Sequence, residues 1–179
     1  MAKADRRTVD KIFVLLGVVT TVVLLVVGGL SWYAFKFADN TVGTELTSQR
    51  IYFPPKGSTA LDPKEFPDLQ QYAGQLVDNG AKAKAYANGF IGRHLEKVAA
   101  GKTYSEVSTL AQKDPTNAKL QQQKQTLFQG ETLRGLLLGD GYAYWTFGQI
   151  AEYAAIVAFA GAAVMAVLVL LGLRRVVRL

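Results

Sequence analysis

The chain contains no cysteine and only one histidine, His94, among its 179 residues. Without a thiol there is no disulfide, no thiolate metal ligand, no cysteine nucleophile and no site for lipoprotein acylation. A lone imidazole excludes much of the remaining chemistry, because metal sites draw three or four protein ligands and mostly use His or Cys. His94 with the nearby Glu96 does not complete such a set. No glycine-rich phosphate loop follows a strand pattern, no Gly-x-Ser-x-Gly elbow occurs, and a hydrolytic triad would have to recruit the same histidine. Asp62, Glu65 and Asp68 cluster near a helix start, where acids complement the helix dipole. The expectation is a non-catalytic chain with no metal and no cofactor.

Charge is missing in two places. Ile12 to Phe35 and Tyr153 to Leu173 hold no acid or base over 24 and 21 residues. A helix rising ~1.5 Å per residue crosses ~30 Å of hydrocarbon with about 20 residues. Both runs are long enough, and an unpaired amide in hydrocarbon is costly enough to force them into helices despite their valines. The first run exceeds the ~7–15 residues of a signal-peptide core. Trp32, Tyr33, Phe35 and Phe37 occupy the places where a cleavage site needs small residues, which points to an uncleaved anchor.

The net charge of +6 is unevenly spread. Lys3, Arg6, Arg7 and Lys11 against Asp5 and Asp10 make the N-terminal tail basic, and Arg174, Arg175 and Arg178 do the same at the other end. Between Lys36 and Glu152 the 13 bases and 12 acids nearly balance. Cations close to the ends of spans are retained on the cytoplasmic side, so both termini are expected in the cytoplasm and the middle outside. This placement argues against nucleic acid as a partner, since that needs bases gathered on one face of a folded domain. Anionic lipid headgroups suit these tails instead.

The expected organisation is a tail over 1–11, a span over 12–35, an extracytoplasmic helical domain over 36–140, an aromatic interfacial segment over 141–152, a second span over 153–173 and a tail over 174–179. The fold class is mainly α, with at most a short extended segment at Gln49 to Phe53, stopped by Pro54-Pro55. Within the domain, periodicity predicts a helix from Pro67 closed by Asn79-Gly80, a second over 81–100, a third opened by a Thr103/Glu106 capping box, and a glutamine-rich fourth over 117–138. Gly139-Asp140-Gly141 is read as a bend before the second span.

Two surface patterns stand out. Ala154, Ala158, Ala162 and Ala166 recur every four residues in the second span, and Gly17, Thr21 and Gly29 offer small residues in the first. Such faces admit close helix approach, either to each other or to a foreign helix. Trp32, Tyr33, Phe35, Tyr142, Tyr144, Trp145 and Tyr153 gather at the outer ends of the spans, where amphipathic rings favour the headgroup layer; a lipid or quinone cleft is the alternative. Neither run holds an ionisable group, so transport by this chain alone is not expected.

The segments RIYFPPKG (50–57), DLQQYAGQLVDNGAKAKAYANGFIGRHL (68–95), GKTYSEVS (101–108) and TLFQGETLRGLLL (126–138), set between two spans, resemble a family of actinobacterial two-span membrane proteins. Its members are often labelled automatically as aromatic ring-opening dioxygenases. That label conflicts with this sequence, because non-haem extradiol cleavage uses two histidines and a carboxylate on one iron. The resemblance implies the topology and an actinobacterial inner membrane, and no catalytic residue carries over. The expected function is a non-catalytic accessory or scaffolding subunit within a larger envelope or respiratory complex. Membrane lipid and a protein partner are the contacts it implies. A binder of lipid or another small hydrophobic ligand at the outer interface is the alternative, and a carboxylate-based membrane enzyme the weakest third.

Overall fold

A computed structural model describes residues 6–178; Lys3 and Asp5 of the expected basic tail lie outside them. The described residues are mainly helical and include no β-strand. Long helices open and close the described residues, α1 (Arg6–Gln49) and α6 (Tyr144–Arg178). Between them lie two 3-10 turns (Thr59–Leu61 and Pro67–Tyr72), α2 (Gly80–Lys84), a π-helical stretch (Ala85–Gly92), α3 (Arg93–Val98), α4 (Tyr104–Lys113), α5 (Ala118–Leu136) and a second π-helical stretch (Leu137–Ala143). Residue contacts divide the chain into two compact units, Met1–Phe37 with Phe147–Leu179, and Ala38–Thr146.

In the first unit two helical segments run antiparallel. Added Cβ atoms show the register: Gly17 would meet Val169 Cγ2 at 2.7 Å, Gly28 the ring of Phe159 at 2.8 Å, Gly161 the Cδ1 of Leu24 at 3.4 Å and Gly172 the Cγ2 of Val14 at 2.8 Å. The contacting positions of α1 are Val14, Gly17, Thr21, Leu24 and Gly28, spaced alternately three and four. Ala155, Ala158, Ala162, Val169 and Gly172 answer them on α6. Alternating threes and fours average 3.5, the period of a left-handed pair of helices whose seam stays on one face. Thr21 donates to the Gly17 carbonyl at 2.8 Å, so its hydroxyl is satisfied within its own helix.

Outside the seam this unit is covered by exposed aliphatic side chains, Leu15, Leu30 and Val157 among them at 64%, 66% and 72% exposure. Both helices are long and apolar enough to cross a membrane. A core helix of a water-soluble domain would have its apolar side chains covered, and these are not. Near one end of the pair, Arg175 Nε lies 3.5 Å from Asp10 Oδ2, close enough for attraction but without hydrogen-bond geometry.

In the second unit the last turns of α1 place Ala38, Val42 and Leu46 in the core. The helix therefore outlasts the apolar run and takes in Gln49, the first residue read as extended. It stops where Arg50 adopts a left-handed φ of 53°. Beyond it the backbone pairs briefly with residues 74–77: Phe53 N–H donates to Gln75, Val77 N–H to Ile51 and Gly74 N–H to Pro54, around a single antiparallel bridge between Tyr52 and Leu76.

That pairing changes the reading of residues 67–80. The chain makes a 3-10 turn only to Tyr72, turns at Gly74 (φ 71°) and runs extended to Val77, which is fully buried. The apolar spacing is present, but backbone bonds to 51–54 win over helix continuation. Asn79 does not close a helix; it opens α2, its side chain accepting from Lys82 N–H at 3.0 Å. The Gly139-Asp140-Gly141 stretch remains helical as part of the second π segment, so the chain is not interrupted there. The Thr103/Glu106 capping box forms with both reciprocal bonds.

The core centres on Phe53, stacked on Tyr72 at 5.2 Å and edge-on to Tyr86 at 5.0 Å; Tyr86 leads to Phe90 and Phe90 to Phe66. Leu61, Leu69, Leu95, Leu127 and Leu137 fill the spaces between. Two glutamines of α5 serve helix ends: Gln121 donates to the Ala111 carbonyl and Gln123 to that of Val98, each at 2.7 Å. Both oxygens lie near a helix C-terminus, where intrahelical donors run out.

Candidate functional site

Three separate parts of the second unit meet around an open cleft of about 510 Å³, within the range of small-molecule sites. Its floor is apolar: Phe66 from the loop before the second 3-10 turn, Phe90, Ile91 and Leu95 from the α2–α3 region, and Leu133 from α5. Gly130 permits the walls to converge, since a Cβ there would come within 2.5 Å of Leu95 Cδ2. The floor is thus built on packed helices and on a ring, Phe66, that is itself 4% exposed.

The mouth is polar. Thr59, Thr126, Gln129 and His94 stand around it, with Glu65 and Lys97 joined as an ion pair across one side. Lys97 Nζ and the Arg93 guanidinium each lie 5.7 Å from the centre of the Phe66 ring, a distance at which cations interact with its face. Arg93 also clamps Asp68 with two bonds of 2.8 Å. That bond holds the Asp68 carboxyl below its usual range and the Arg93 guanidinium above its own. Burial pushes the Tyr86 phenol up, away from ionisation.

Arg134 exploits the first π stretch. Its Nε donates to the Ala87 carbonyl at 3.2 Å, its Nη2 to Asn88 Oδ1, and its Nη1 to Glu131. A π segment offers its carbonyls in a changed register, and such segments are frequent beside functional sites.

His94 is exposed at the cleft mouth, beside the stripe of Phe90, Ile91 and Val98. Among the described residues no three His, Asp or Glu side chains gather in a way that would hold a metal ion.

The small residues divide. Gly17 and Ala158 and Ala162 lie in the helix seam, Thr21 is half-buried and Ala166 partly so. Gly29 and Ala154 fall outside it: nothing stands within 4 Å of a Cβ on Gly29, and Ala154 is exposed. Gly28 and Ala155 occupy the seam instead. Four residues advance a helix by about 40° more than one full turn, so a strict four-residue repeat drifts off the face within three steps. The alternation of threes and fours was the signal that locates the seam.

The aromatic residues divide as well. Trp32, Tyr33 and Tyr153 are exposed, whereas Phe35 is 7% exposed with its ring against Trp32 at 5.4 Å. Tyr144 is exposed. Trp145 packs on the helical core, directly over Gly80. Tyr142 receives Lys84, whose Nζ donates to the phenol oxygen at 3.1 Å, and this bond draws the phenol below its ordinary range. Two members of the expected belt, Phe35 and Trp145, are therefore packing residues, covered within the protein while Trp32, Tyr33 and Tyr153 stay exposed.

The cleft itself was not legible in the sequence, since its walls come from residues 59–66, 90–97 and 126–133. Comparison with protein-family models, with curated proteins and with solved structures gives no match to this chain.

Proposed function

We propose that this chain is a non-catalytic two-span membrane protein whose central helical domain binds a small hydrophobic molecule. The observation that carries the reading is the cleft over Phe66, Phe90, Ile91 and Leu133: apolar below, polar at its mouth, and large enough for a ligand. The basic tails suit a topology with both termini in the cytoplasm and the domain outside the cytoplasmic membrane. One imidazole at an exposed position, with the Glu65 carboxylate of the same mouth already paired to Lys97, supports binding in place of chemistry.

An accessory role in a larger membrane complex is the second reading. It is favoured by the exposed ring pair of Tyr104 and Phe128 (5.9 Å apart), with Leu136 exposed two turns further along the same helix. Aromatic residues of this kind anchor protein interfaces.

The test is extraction of the intact chain with its surrounding bilayer, followed by native mass spectrometry of wild type and Ala60→Trp. Ala60 is exposed at the cleft, so an indole there fills the space without entering the core. A small apolar molecule bound one to one in wild type and lost in the variant is the expected result. Identical bound molecules in both refute the reading. Stoichiometric recovery of one large complex, with an empty cleft, favours the accessory role.

A further inference from the structure

The cleft mouth carries information about the ligand that its apolar floor does not. Its two formal charges, Glu65 and Lys97, are paired with each other, and the nearby Arg93 is clamped by Asp68. The other polar groups are the hydroxyls of Thr59 and Thr126, the amide of Gln129 and the imidazole of His94, each able to donate or accept a hydrogen bond. A charged head brought to this mouth would lose water and find no uncompensated counter-charge, whereas a hydroxyl or carbonyl would exchange water for hydroxyl and amide partners.

We infer that the cleft selects a neutral amphiphile, an apolar body carrying an uncharged hydrogen-bonding head seated among Thr59, Thr126 and Gln129. This rests on the ligand-binding reading above and adds the sign of the head group to it. The Glu65–Lys97 pair acts as a charge filter: neutralised, it attracts neither anions nor cations.

The experiment uses the full chain in lipid nanodiscs at pH 8 and three photoreactive probes that share one diazirine-bearing decyl body and end in an alcohol, a carboxylate or an ammonium group. Labelling of residues 90–97 and 126–133 is quantified by peptide mass spectrometry and normalised to labelling of residues 12–35, which corrects for partitioning into lipid. The alcohol is expected to label the cleft about tenfold more than either charged probe, the ratio that about 1.4 kcal/mol produces. Glu65→Gln, at a half-exposed position, leaves Lys97 uncompensated and should raise carboxylate labelling toward that of the alcohol. Thr126→Val with Gln129→Leu should remove the preference for the alcohol.

A charged probe that labels the cleft as strongly as the alcohol in wild type overturns the neutral-head inference and leaves the ligand-binding reading standing. So does carboxylate labelling indifferent to Glu65→Gln. No cleft labelling by any of the three, with normal labelling of residues 12–35, overturns both.

Discussion

Replacing Gly80 by Ala sets two effects of opposite sign against each other, and the structure decides between them. Gly80 is the first residue of α2 and has an ordinary negative φ, so backbone preference alone favours Ala by at most about 1 kcal/mol. The added methyl, however, would sit 2.8 Å from Cδ2 of Trp145 and closer still to its Cβ and Cγ. Rotation about the side-chain bond cannot move a Cβ, which is fixed to the backbone. The two helices must separate, and overpacking of this kind costs about 1–3 kcal/mol. The net expectation is a loss of about 1–2 kcal/mol.

Gly135 is the control, an exposed position inside α5 with nothing within 4 Å of an added methyl, where Ala should contribute about 0.5–1 kcal/mol. At about 3–5 °C per kcal/mol for a domain of this size, Gly80→Ala should lower the apparent Tm by roughly 3–10 °C and Gly135→Ala raise it by roughly 2–5 °C. The assay is a fixed-rate melt in nanodiscs followed by the fluorescence of Trp145, in a Trp32→Phe background that silences the other indole. A Gly80→Ala variant melting at or above its parent would refute the close approach of α2 to Trp145, and the packing account with it.

Two further outcomes follow from the helix seam and from the Arg93 clamp. Because the chain has no cysteine, a Leu24→Cys, Gly161→Cys double variant treated with a short bismaleimide in membranes should link within one chain, while Leu25→Cys with Gly161→Cys, pointing one residue off the seam, should not. Links found only between chains would show that the spans pack on a neighbour. In acid, Asp68 and Glu106 are both held below their ordinary carboxyl values, Asp68 by the Arg93 hydrogen bond and Glu106 by the backbone N–H of Thr103. A depressed folded-state value adds stability above the unfolded value, and that stability is lost as pH falls through the folded one. The stability gap between wild type and Asp68→Asn should therefore be constant above about pH 5 and shrink below about pH 4, read from urea unfolding of the central domain across that range. A gap unchanged down to pH 2 would contradict the Arg93 clamp.

The sequence by itself determined what one element needs from solvent or from its own backbone. Two uncharged runs of this length can only be helices in hydrocarbon, and the Thr103/Glu106 box starts α4 through bonds within four residues. Tertiary structure decided wherever a residue had two comparable options. Leu76 and Val77 fit a helical stripe, yet Leu76 bridges to Tyr52 and Val77 N–H donates to Ile51, because those backbone groups also needed partners. Gly28 and Ala155 displaced Gly29 and Ala154 from the helix seam because the pair coils at 3.5 residues per turn, a period set by both helices together. The cleft depended most on the fold, since apolar residues from three distant segments become a site only when packing leaves a space between them. Periodicity records which face is buried, whereas a cavity is a shortfall in burial that no single helix contains.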